Sequence, residues 1–200
     1  MPVVGITGGI ASGKSTFSRE LLRRLPADFF DADACARELL ATDGEIRSRV
    51  AQALNIELVS GDQGLFRAEI RDLVFSDPRK REALEAILHP EIGGRWMRDA
   101  GKRKGGAEWL YVDIPLLFET GAESYFDEIV VVGCTKSTQV ERLQENRGLS
   151  GEIAQKIIAT QLDLGLKINK ADHLIWNESN LRILEGQTAL LVGWLKERYG

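Results

Sequence analysis

Residues 5–17, GITGGIASGKSTF, decide how the rest of this chain is read. Within them Gly8, Gly9, Ile10, Ala11, Ser12, Gly13, Lys14 and Ser15 fit the pattern G-x-x-x-x-G-K-[ST], and Thr16 adds a second hydroxyl. Backbone as bare as Gly8, Gly9 and Gly13, with small Ala11 and Ser12 between, lets successive N–H groups turn toward one anion. A helix opening behind them adds its positive N-terminus. Lys14 is placed to reach the β- and γ-phosphates of a nucleotide and the Ser15 hydroxyl to ligate Mg²⁺. An ordinary glycine-rich turn uses the same residue types, so context decides. The nucleotide-binding set is therefore Gly8, Gly9, Ala11, Ser12, Gly13, Lys14, Ser15 and Thr16.

The flanks supply that context. PVVGI before the loop is a continuously apolar, β-branched strand of the kind buried on both faces of a parallel sheet. After it, Phe17, Leu21 and Leu25 recur every four residues, an amphipathic helix that Pro26 stops. DFFDAD reads as a second strand with Asp31 and Asp33 at its C-terminal end, and ACARELLA as a helix. Residues 45–105 are helical in pattern without a convincing strand, interrupted by VSGDQG, Pro78 and Pro90. EWLYVDIPLLFE and DEIVVVGC resume the strands, two helices separated by Gly148 follow, then HLIWN, and a closing helix carries Leu181, Leu184, Leu191 and Leu195 on one stripe. Five short strands alternating with helices predict an α/β three-layer sandwich on a five-stranded parallel sheet.

Composition narrows the classes. Two hundred residues at 44% hydrophobic content bury one main core, and a net charge of −4 with scattered basic residues gives no global pull on nucleic acid or anionic membrane. Cys35 and Cys134 lack metal-ligand spacing and read as reduced thiols, and the opening residues carry no basic, cleavable leader. A cytoplasmic protein without a membrane span is the expectation; nothing in the pattern sets an oligomeric state. Among nucleotide users, GTPases are the sharpest rival, because residues 169–172 spell N-K-x-D. Yet no aspartate is followed three residues later by glycine, and this N-K-x-D precedes its strand where a guanine-reading loop follows one.

Strand alternation sends Asp31 and Asp33 to one side, facing the crevice at the strand ends, one to support Mg²⁺ and the other to take a hydroxyl proton. The alternative is a pair of aspartates capping the next helix. With the loop, DAD, AILHPEI, YVDIPLLFE, Q-x-x-R and AD-x-x-I-x-N in this order, nearly the whole chain resembles the dephospho-CoA kinases. The resemblance implies a P-loop kinase-like fold: a core of about residues 1–44 and 107–200, a helical substrate lobe of about 45–106, and a lid of about 137–162. It also implies ATP- and Mg²⁺-dependent phosphorylation of the ribose 3′-hydroxyl of dephospho-CoA.

Carried over, Asp33 becomes the substrate-facing base, and Arg67 and Arg71 become contacts for the substrate's pyrophosphate, with plain helix-surface charge as the alternative. His89 stands in the family's HP pair, where a helix break is the better reading of a histidine before proline. Thr7 joins the substrate set. Asp113 ends a metal-supporting strand, so the metal set is Ser15, Asp31 and Asp113. Leu117, with Leu116 and Phe118, lines an apolar wall for the pantetheine arm or belongs to the core. Arg142 and Arg147 are lid cations for the transferring phosphoryl, Arg142 catalytic beside Lys14 and Asp33. Asn177 matches an adenine-side asparagine, although NES replaces the commoner N-x-G. GKRKGG, residues 101–106, reads as a solvated basic turn. Other small-molecule kinases and a nucleotide-gated binding protein without phosphotransfer are the competing functions.

Overall fold

A computed structural model describes residues 2–57, 63–103 and 109–200, apart from the side chains of residues 63–65, 67, 75 and 99–103. Contacts divide the chain into two compact units, Met1–Phe30 with Arg103–Gly200, and Asp31–Lys102.

The first unit is built on the five expected strands, β1 (Val3–Gly8), β2 (Asp28–Asp31), β3 (Leu110–Asp113), β4 (Glu128–Gly133) and β5 (His173–Trp176), in the order β2-β3-β1-β4-β5. β1 pairs in parallel with β3 and β4, and β4 with β5. Every residue of β3 and β4 is buried, as runs such as IVVVG require when helices cover both faces. Connections leave β1 toward one edge and β3 toward the other, so the C-terminal ends of β1 and β3 flank the switch point where open α/β sheets receive ligands.

On one face, α1 (Lys14–Arg24) and α9 (Leu181–Tyr199) pack as a pair. Phe17, Leu21 and Leu25 of the four-residue stripe meet Val4, Ile6 and Val130 of the sheet. From α9, Leu184, Leu191 and Leu195 join them, but Leu181 is 56% exposed. A helical side chain covers the turn preceding it, and Leu181, first after the cap Asn180, has no preceding turn to cover.

Between β4 and β5 stand three helices where two were expected: α6 (Lys136–Arg147), α7 (Gly151–Ile158) and the short α8 (Leu164–Lys170). Asp163 caps α8 by accepting from the Gly165 and Leu166 amides, which explains a helix where no strong periodicity shows. The N-K-x-D residues lie at its end. Asp172 accepts from the Ile129 amide at 2.8 Å and so fixes the entry to β4, in keeping with a chance match.

The second unit consists of α2 (Ala32–Thr42), α3 (Gly44–Leu54), α4 (Gln63–Ser76) and α5 (Pro78–Arg103), packed around Leu39, Val50, Leu54, Phe66, Ile70 and Trp96. It begins at Asp31, not near residue 45, because α2 packs within this unit. α5 runs on through Pro90, so the helix break expected at His89-Pro90 is absent; proline removes one donor, and the long helix on either side holds the segment in register. No described helix is long and apolar enough to cross a membrane.

Candidate functional site

β1 delivers the chain to the loop at Gly8, and α1 begins at Lys14, one residue after Gly13 at φ 85°. Glycine is required at position 13 on two grounds: the left-handed backbone, and the Asn177 amide lying where a Cβ would stand. Ala11 also sits in the left-handed region, at φ 57°, where a side chain costs about 1 kcal/mol or more. Inside the loop the Ser12 amide donates to the Gly9 carbonyl at 3.1 Å, and both Thr16 and Phe17 amides donate to Gly13.

Lys14 Nζ donates to the Asp113 carboxylate, whose side chain is 9% exposed. The register explains the meeting: Asp113 ends β3 opposite Ile6 of β1, two residues before the loop. Ser15 is exposed in the first turn of α1, and Thr16 half-buried beside it.

Side chains from outside the loop tie three successive carbonyls. Gln139 Nε2 donates to Ile10 O at 2.7 Å, Arg142 Nη1 to Ala11 O at 3.3 Å, and Asn177 Nδ2 to Ser12 O at 2.8 Å. Gln161 Oε1 accepts from the Ile10 amide at 2.9 Å, and Arg142 Nη2 reaches Asn177 O at 2.9 Å. The Q-x-x-R spacing accounts for the first pair, since residues three apart share a helix face. The Q-x-x-R pattern signals Gln139, and nothing local in the sequence signals Gln161.

Several expected roles change. Asn177 is buried with its amide nitrogen donating to Ser12 O, so it contributes directly to loop shape. Thr7 is fully buried and its hydroxyl donates to Pro115 O at 3.0 Å, which takes it off the substrate surface. Leu117 is likewise fully buried, core and not wall. Arg147 ends α6 at the Gly148 cap, φ 63°, and is exposed, while Arg142 turns inward.

Asp31 and Asp33 do not share a strand. β2 stops at Asp31, whose Oδ1 caps α2 by accepting from the Ala34 amide at 2.8 Å and whose Oδ2 lies 3.9 Å from Arg37. Asp33 stands exposed in the first helical turn, so strand alternation cannot align the two; helical geometry places it instead. Arg71 is exposed on α4 beside Asp72 at 3.2 Å, and His89 is half-buried within α5. The Arg67 side chain and residues 104–106 lie outside the described residues, whereas residues 101–103 of the expected basic turn are the end of α5.

Glu178, inside the unusual NES, accepts from the Thr135 amide at 2.6 Å and from the hydroxyls of Thr135 and Thr138, joining the end of β5 to the start of α6. Those donors, the amide first, hold its carboxyl below the ordinary range. Burial pushes the Cys134 thiol up to about 11. For a divalent ion the site offers the Ser15 hydroxyl and the Asp113 carboxylate at the end of β3. This sparse oxygen set suits Mg²⁺, which keeps water and substrate phosphates as most of its ligands.

The family model described as Dephospho-CoA kinase matches residues 2–182. A dephospho-CoA kinase of Listeria monocytogenes is 35% identical over 191 residues, covering 94% of each chain. Among solved structures, TT1252 from Thermus thermophilus is 31% identical with a TM-score of 0.77, covering 99% of this chain and 98% of that one. A dephospho-CoA kinase from Campylobacter jejuni, 23% identical with a TM-score of 0.72 over 99% of this chain and 98% of its own, shares the fold.

Proposed function

Because the chain belongs to the dephospho-CoA kinase family, which phosphorylates dephospho-CoA to coenzyme A in the last step of CoA biosynthesis, we propose how its residues divide that work. ATP is the donor and the ribose 3′-hydroxyl the acceptor. The observation that carries this reading is the loop itself, a left-handed Gly13 with Lys14 at the start of α1 brought against Asp113 at the end of β3.

Lys14 binds the β- and γ-phosphate oxygens, and the amides of Gly13, Lys14 and Ser15 at the start of α1 turn to them, those of Ser12 and Thr16 being bonded to Gly9 O and Gly13 O. The Ser12 hydroxyl, buried and without a hydrogen-bond partner among the described residues, suits a loop completed by an anion. Ser15 and Asp113 would hold Mg²⁺, which when bound neutralises charge on the phosphates. Asp31, committed to its cap, fits a metal role less well than Asp113. Arg142, already bonded to the loop at Ala11 O, contributes positive charge toward the transferring group, with Arg147 following when the lid closes. Asp33 accepts the hydroxyl proton as the new bond forms. Arg67, Arg71 and His89 serve the substrate from the helical unit. Two free cysteines, Cys35 and Cys134, support action in the reducing cytoplasm.

A coupled ADP-release assay over dephospho-CoA, nucleosides and nucleoside monophosphates tests the reading. Turnover is expected with dephospho-CoA in Mg²⁺ and lost in EDTA. Faster turnover with a nucleoside or nucleotide would replace the acceptor, and ATP binding without ADP release would leave only a binding protein.

A further inference from the structure

Lys167, on α8, is the most completely buried cation among the described residues: its side chain is 0% exposed. Lysine is almost never fully buried unless paired, and a buried ion pair repays its desolvation only when further hydrogen bonds satisfy both partners. Those bonds are present. Lys167 Nζ lies 2.8 Å from Glu119 Oε1 and donates to Pro115 O at 3.1 Å. Glu119 Oε1 also accepts from the Leu162 amide at 2.9 Å.

What the pair grips matters more than the pair. Pro115 has no N–H, so its carbonyl is the one backbone handle at that position, and it accepts from both Lys167 and the Thr7 hydroxyl. Two residues before Pro115 is Asp113, the partner of Lys14; one residue after Thr7 the phosphate loop begins. Next to Leu162 is Gln161, which accepts from the Ile10 amide. One buried ammonium thus fixes the exit of β3, the end of β1 and the return from α7, three backbone points that bound the phosphate site.

We propose that Lys167 is a positioning residue for phosphoryl transfer, holding Asp113 and the Gln161 bond to the loop in register through Pro115 O and Glu119. The proposal rests on the kinase reading above. By contrast, Lys170 on the same helix pairs with Glu123 at 2.8 Å on the surface, half-exposed, and touches none of these points. Exposed pairs of that kind contribute little.

The test compares kcat, both KM values and thermal unfolding for wild type, Lys167→Met/Glu119→Gln, Thr7→Val and Lys170→Met. The double variant removes both charges together, keeps an acceptor for Leu162 and leaves no bare ion behind. It is expected to unfold cooperatively above the assay temperature with kcat lowered about 10–100-fold, the scale of a misplacement near 1 Å, and both KM values within about threefold. Thr7→Val, losing one of two donors on the same carbonyl, should lose about 3–10-fold in kcat, and Lys170→Met nothing. A folded double variant with wild-type kcat would reduce the pair to a stability element and overturn the proposal. Should the double variant not fold, Thr7→Val decides alone, and an unchanged kcat there overturns it equally. Failure of the kinase reading shows separately, as absent turnover of dephospho-CoA by the wild type.

Discussion

The two units treat their functional side chains in opposite ways. In the unit of Met1–Phe30 and Arg103–Gly200, Lys14, Arg142, Asn177, Gln139 and Gln161 are each already bonded, to Asp113 or to the backbone of the phosphate loop. In the unit of Asp31–Lys102, Asp33 and Arg71 stand exposed on helix surfaces. Under the proposed function, the donor end is preorganised before nucleotide arrives, whereas the acceptor end gains its geometry from the substrate. Preorganised charge costs no rearrangement at the moment of reaction, so the largest single effect should come from the first unit, at Lys14.

Four experiments press on that contrast. Lys14→Ala removes the cation built against the phosphates, and transfer should fall by about 10³-fold or more. Near-normal turnover would break the comparison at its strongest point. Asp33→Asn keeps the shape but not the basicity; single-turnover transfer should drop about 10²–10⁴-fold while ATP affinity is retained. A loose transition state asks less of a base, which favours the lower end. If ATP affinity collapsed with it, Asp33 would belong to the donor end and the contrast would dissolve.

Arg142→Ala removes the donor to Ala11 O and to Asn177 O as well as a lid charge. Turnover should fall about 10–10²-fold and ATP should bind more weakly, while dephospho-CoA alone binds as in wild type, measured by calorimetry for each ligand. The smallest effect is expected at Glu178. Its carboxyl is depressed below its ordinary 4.5 by the Thr135 amide and the two hydroxyls. The stability it contributes is therefore present above that value and lost as pH falls through the lower, folded one. Melting curves recorded from about pH 3 to 7 should show Glu178→Gln less stable near neutrality, the gap closing in acid. An unchanged gap throughout would detach the carboxylate from its donors.

Much of the first unit was legible because its signals are local. A phosphate loop is eight consecutive residues between a strand and a helix, and buried parallel strands such as EIVVVG write their environment into every position. The misreadings arose where one residue type serves two local structures. An aspartate ending a strand and an aspartate capping a helix look alike in DFFDAD, and only the Ala34 amide on Asp31 separates them. Proline within α5 reads locally as punctuation, although a helix with enough packing on both sides carries one through. Gln161 and Lys167 left no trace, because their partners, Ile10 and Pro115, lie 151 and 52 residues away and meet them only through the folded sheet.

The contact between Lys14 and Asp113 gives nucleotide loading the form of a partner exchange. Neither charge waits bare at the mouth of the sheet: each is the other's counter-ion, the carboxylate nearly out of contact with solvent. With Mg·ATP bound in the proposed mode, Lys14 would pair with phosphate and Asp113 would hold the metal, so two ion pairs would replace one. ATP without a divalent ion would complete only half of that trade and leave Asp113 facing an anion. The free nucleotide would thereby be disfavoured, and donor and metal are expected to bind as one species.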